Sequence, residues 1–162
     1  DWTEGPDGQR IRFGWEKSEA ILLDLVDGDS QGGFDGILGF SQGAVAGSIL
    51  CAKRPLSFRV AVLVAGGLPS DSRMGDVLKA APRLNVPLPP SMHVYGEADQ
   101  LIQPAKVLEL AALWRGLRAV AWGHPGGHMV PSSKEFRNAV CAFVKGSLCT
   151  SDARASCPSL PF

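Results

Sequence analysis

Only four cysteines and one tyrosine stand in the 162 residues, and no apolar stretch nears the ~20 residues needed to cross a bilayer. Cys51, Cys141, Cys149 and Cys157 form no C-x-x-C pair and have no histidine at metal-ligand spacing. Neither a zinc site nor a disulfide scaffold is therefore indicated, and the usage fits reduced thiols in a cytoplasmic protein. No charge of one sign prevails: sixteen Lys and Arg balance sixteen Asp and Glu. That balance argues against a nucleic-acid partner or an anionic membrane surface. Neither G-x-G-x-x-G nor a P-loop lysine is present, which removes the commonest nucleotide-binding loops. Residue 1 is Asp, so the lack of a signal peptide says little about export.

What is present is apolar and rich in glycine. Hydrophobic residues make up 45% and charged ones 20%, with 19 glycines, the composition of one folded domain with many tight turns. Residues 1–14 show no period. Ser18 to Val26 carries Ile21, Leu22, Leu25 and Val26 at helical spacing, stopped by Gly28. Phe34 to Phe40, Phe58 to Ala65, Ser91 to Gly96 and Ala119 to Trp122 read as four strands. The second is β-branched and apolar throughout, as in a parallel strand covered on both faces.

Helices are predicted between and after these strands. One runs from Gly43 to Arg54, ahead of Pro55. A weaker one lies around Met74 to Ala81. Another spans Pro104 to Arg115, with a stripe of Val107, Ala111 and Trp114 beside Leu108, and Gly116 closes it. The last opens on a capping box, Ser132 with Glu135, presents Phe136, Val140, Phe143 and Val144, and ends at Gly146. Strands alternating with helices at this spacing mean an α/β fold with a mostly parallel sheet flanked by helices. Residues 1–146 read as a single domain, and 147–162, polar and Pro-containing, as a disordered tail.

The crossover from Gly66 to Pro90 carries five prolines. It is either an ordinary long connection or a loop on the ligand side of the sheet. Its Leu84, Val86 and Leu88 suggest an apolar wall or lid, while Asp71 and Asp76 read as solvated.

The sharpest motif is Gly39-Phe40-Ser41-Gln42-Gly43, a G-x-S-x-G between a predicted strand and a predicted helix. A serine in so sharp a turn needs small neighbours two residues to either side, where a side chain would collide with the adjoining elements. The turn lifts the Ser41 hydroxyl clear of the sheet and aims the Gln42 amide where an oxyanion would form. By itself the pattern also describes a glycine-rich turn with an ordinary serine. A serine nucleophile needs a base, and the base an acid to orient it. Asp99 follows one strand in Y-G-E-A-D, and His128 follows the last in G-G-H. Chain order Ser, Asp, His is that of α/β hydrolases. Glu97 is the alternative acid and His124 the alternative base, whereas His93, inside a strand, reads as a core histidine. His128 is preferred because Gly126 and Gly127 leave its loop free to aim the ring.

These motifs (F-D-G-I-L-G-F-S-Q-G-A, H-V-Y-G-E-A-D-Q-L-I-Q-P and H-P-G-G-H-M-V-P) resemble the FSH-type family of serine hydrolases, a branch of the α/β-hydrolase fold. The resemblance covers about Ser18 to Lys145. It implies Ser41 as nucleophile, Asp99 as acid and His128 as base, acting on a small-molecule ester or thioester with no metal or cofactor. Acyl-protein thioesterases share G-F-S-Q-G, but G-G-H-x-V-P is more like the FSH type. Family members begin with a strand and an L-H-G-like segment that supplies a second oxyanion amide, and residues 1–14 resemble neither. The chain therefore looks like the C-terminal part of such a hydrolase. Two consequences are expected. Phe34 to Phe40 becomes an exposed apolar edge open to self-association, and a missing oxyanion donor lowers turnover by ~10²–10³. A weakly active or inactive hydrolase-like binding module is the alternative.

Overall fold

Val60 to Val64 lies at the centre of the protein, buried at every position, as its unbroken apolar pattern predicts. A computed structural model describes residues 2–4, 10–12, 14–29, 33–84, 88–114 and 119–155. In chain order its elements are β1 (Trp2–Glu4), β2 (Arg10–Arg12), α1 (Trp15–Asp27), β3 (Gly36–Phe40), α2 (Gln42–Lys53) and β4 (Val60–Val64). They are followed by α3 (Ser72–Ala80), β5 (Ser91–Gly96), α4 (Pro104–Ala111), β6 (Ala119–His124) and α5 (Lys134–Ala155). The strands β3-β4-β5-β6 form one parallel sheet in that order. β1 and β2 pair antiparallel on their own, in a segment where the sequence shows no period.

Alternate side chains of β4 feed two cores. Ala61 and Leu63 join α2, α3 and α4 around Ile49, Leu50, Leu78, Leu110 and Trp114, with Leu22, Leu23 and Val26 of α1 packed against them. Val62 and Val64 face α5 with Met92, Val94 and Phe136. Leu38 and Phe40 pair in register with Val62 and Val64, so they face the α5 side too. Yet Leu38 is 65% exposed and Phe40 36%, because α5 does not reach over β3. Among the described residues, β3 is an edge strand, as expected.

Several local expectations change. α5 is capped by Ser133, whose Oγ accepts from the Phe136 amide at 3.1 Å, one residue later than the predicted box. Gly146 does not end it. A glycine inside a helix costs about 1 kcal/mol, and beyond it Ser147 is buried while Arg59 Nη2 donates to the Leu148 carbonyl at 3.1 Å. The expected tail is thus helical to Ala155, and 156–162 fall outside the described residues. Along α4 and the 3₁₀ turn Ala112–Trp114 that follows it, the buried residues are Val107, Leu110 and Trp114, with Leu108 exposed; Arg115 and Gly116 fall outside the described residues.

Asp71 is not solvated but buried. It caps α3 by accepting from the Arg73 amide at 3.1 Å, and the Arg73 guanidinium neutralises its charge. Asp76 is exposed. Leu88 belongs to the core rather than to a lid, Leu84 is exposed, and Val86 lies outside the described residues.

His93 is fully buried, edge-on to Trp114 with ring centroids 5.3 Å apart, its Nε2 2.9 Å from Ser91 Oγ. Burial pushes its pKa down to about 4. An unfolded histidine titrates near 6.5, so below that pH the unfolded chain takes a proton the folded one refuses. Stability should therefore fall as pH drops from 6.5 towards 4, by about 2 kcal/mol at pH 5 from this group alone. Urea midpoints at pH 7 and pH 5, compared between the parent and His93→Leu, check it: the parent should lose more.

Candidate active site

Ser41 joins β3 to α2 with φ 54° and ψ −117°, a strained conformation for a non-glycine residue. Its neighbours impose it. The Ser41 amide donates to the Val64 carbonyl at 2.8 Å, and its carbonyl accepts from the Ala44 amide at 3.1 Å. A Cβ on Gly39 would lie 2.3 Å from the Gly43 carbonyl oxygen, so strand and helix meet this closely only with glycine there. Gly43 is different: a Cβ on it would meet nothing, and collision does not account for that glycine as it was expected to. The first amides of α2, those of Gln42 and Gly43, have no intrahelical acceptor.

Asp99 follows β5. Its Oδ1 accepts from the amides of Leu101 and Ile102, both at 2.9 Å, and its Oδ2 lies 2.8 Å from His128 Nδ1. Burial raises the pKa of this carboxyl, but the Ile102 amide, His128 and the Leu101 amide outweigh it and leave it below the ordinary value. His128 completes the chain, with Nε2 2.9 Å from Ser41 Oγ.

The two loops that carry the acid and the imidazole are docked to each other. The Glu97 amide donates to the His124 carbonyl at 2.7 Å and the Ala98 amide to the Gly126 carbonyl at 3.2 Å. A Cβ on Gly96 would stand 2.4 Å from the carbonyl oxygens of both Gly126 and Gly127. Sequence reading credited Gly126 and Gly127 with freeing the loop and overlooked Gly96, whose lack of a side chain lets the loop come in.

The structure thus brings Ser41, His128 and Asp99 together. The other candidates are elsewhere engaged: His93 is in the core, His124 is buried with Nδ1 accepting from the Gly126 amide at 3.1 Å, and Glu97 is exposed. Sequence reading also missed a ring contact, Phe40 on His128, with centroids 5.0 Å apart and planes 40° from parallel. Among the described residues, no three His, Cys, Asp or Glu side chains gather where they could hold a metal ion.

The family description "Serine hydrolase (FSH1)" matches residues 1–140, reaching upstream of Ser18 where the sequence resemblance begins. The chain belongs to the FSH1 serine hydrolase family. Among its relatives, "Esterase C25G4.2" of Caenorhabditis elegans is 31% identical over 144 residues, which span 85% of this chain and 62% of that protein. "Esterase OVCA2" of Mus musculus is 36% identical over 124 residues, 72% of this chain and 51% of that protein. This FSH1 chain therefore spans between half and two thirds of the length of these curated relatives. The fold is that of α/β hydrolases: the structure of acyl-protein thioesterase 2 from Zea mays superposes with a TM-score of 0.66 at 18% identity, over 91% of this chain and 71% of that one. Among the described residues, no helix is long and apolar enough to cross a membrane.

Proposed function

We propose that this chain hydrolyses small-molecule carboxylic esters or thioesters through an acyl-serine intermediate. The supporting observation is the unbroken hydrogen-bonded chain from Asp99 through His128 to Ser41. Ser41 Oγ attacks the substrate carbonyl carbon as His128 Nε2 takes the hydroxyl proton. The Gln42 amide donates to the oxygen that becomes negative, aided by the positive end of the α2 dipole. As the tetrahedral centre collapses, the bond to the alkoxide or thiolate breaks and His128 returns the proton to the leaving group. Water then attacks the acyl carbon with His128 again as base, which frees the carboxylic acid and restores Ser41. Asp99 holds the imidazole in the tautomer that can accept at Nε2. The exposed thiols of Cys141 and Cys149 suit a reducing, cytoplasmic setting.

The test is a fluorophosphonate probe on the 162-residue chain, with release of p-nitrophenol and of thiol from matched ester and thioester substrates. Labelling and release of either product are expected. A folded protein that neither labels nor turns over ends this assignment and favours the binding module, a reading that β3 at the sheet edge supports.

Self-association through that edge belongs to the same proposal. Among the described residues, β3 has an unpaired backbone edge flanked by exposed Leu38, a template for a second copy of the chain. Leu38→Lys should shift sedimentation of a concentrated sample towards monomer; a parent that is already monomeric removes the idea.

A further inference from the structure

We propose that Phe40 is a positioning residue for His128, a role that rests on His128 serving as the base. The imidazole is hydrogen-bonded at its two nitrogens, to Asp99 Oδ2 and to Ser41 Oγ. Two such bonds leave the ring able to rock about the line joining those nitrogens. A third contact is needed on a face of the ring. Phe40 supplies it, its ring centroid 5.0 Å from that of His128 with the planes 40° apart, within the contact range of aromatic pairs.

The placement follows from the elbow. Phe40 is the last residue of β3 and immediately precedes the strained Ser41. The pleat of β3 sets the direction of the phenyl ring, and the turn that follows at once sets that of the hydroxyl. Nucleophile and wall are carried by one rigid strand end, and the base is held between that wall and Asp99. Phe40 has no comparable task in the fold: it belongs to neither buried cluster and is 36% exposed. An aromatic side chain left half in water at the edge of the sheet is thus explained by what it touches.

The experiment compares the parent with Phe40→Leu and Phe40→Tyr. Phe40→Leu keeps an apolar side chain but loses the flat face, and Phe40→Tyr keeps both. Loss of the ring contact should slow fluorophosphonate labelling and kcat of ester hydrolysis by about 3- to 10-fold. KM and the thermal midpoint should stay at the parent values, and Phe40→Tyr should restore the rate. An unchanged rate in Phe40→Leu, an equal loss in Phe40→Tyr, or a loss that tracks a lower thermal midpoint overturns the proposal. A second readout does not depend on turnover: NMR order parameters of the His128 ring should fall in Phe40→Leu, and unchanged order overturns the proposal. Should the parent neither label nor turn over, the acyl-serine assignment falls, and with it any role for Phe40 in positioning a base. A parent that reacts while Phe40→Leu keeps both rate and ring order leaves that assignment standing and removes Phe40 alone.

Discussion

Ser41→Ala should abolish fluorophosphonate labelling and lower ester turnover by about 10⁴-fold or more. The substitution removes one oxygen and little else. The backbone at residue 41 is held from outside, by the Val64 carbonyl on one side and the amides of Ala44 and Val45 on the other, and none of these bonds uses the side chain. Alanine bears the same φ of 54° at a similar steric cost, so the elbow and the adjacent core should survive. What disappears is the atom His128 Nε2 faces at 2.9 Å. Residual rate would then come from an intact base and amide donors acting on bound water, which is why removing one member of such a unit loses nearly all of the effect. Unchanged turnover in Ser41→Ala, with circular dichroism matching the parent, would rule out the acyl-serine route.

Where backbone pattern alone decides, the sequence was legible. β5 starts and stops where its residues say, and β4 differs only at its ends, because a short apolar run rich in valine favours a strand buried on both faces over a helix. The order Ser, Asp, His could be read because each candidate follows a strand, and the ends of parallel strands gather on one side of the sheet. What escaped depends on how a side chain is enclosed once the chain has folded. Asp71 looks like any loop carboxylate until Arg73 and the start of α3 enclose it. Leu88 reads as lid or core equally well, and only the fold places it beside Leu78 and Trp114. Gly146 is a fair stop signal locally, outweighed by Ser147 and Leu148 packing towards the far end of the sheet. The wall that Phe40 offers His128 has no local signature, since any residue fits between the glycine and serine of the motif.

Asp99→Asn should cut turnover by about 10⁴-fold while leaving the fold in place. The loop dictates how the new amide must sit. Two backbone donors, the amides of Leu101 and Ile102, converge on Oδ1 at 2.9 Å, and only an acceptor satisfies them. The asparagine carbonyl oxygen must therefore take the Oδ1 place, which turns the NH₂ towards His128 Nδ1 in the place of Oδ2. Nδ1 then becomes an acceptor, and the imidazole carries its proton on Nε2, facing Ser41 Oγ. A nitrogen that already holds a proton cannot take one from the serine, so the base is disabled by tautomer rather than by distance. The negative charge that would stabilise the imidazolium is lost as well, in a site where Asp99 is nearly inaccessible to water. A thermal midpoint near the parent's, with labelling and turnover both suppressed, is the expected result. Turnover within a few-fold of the parent would mean that another group orients His128.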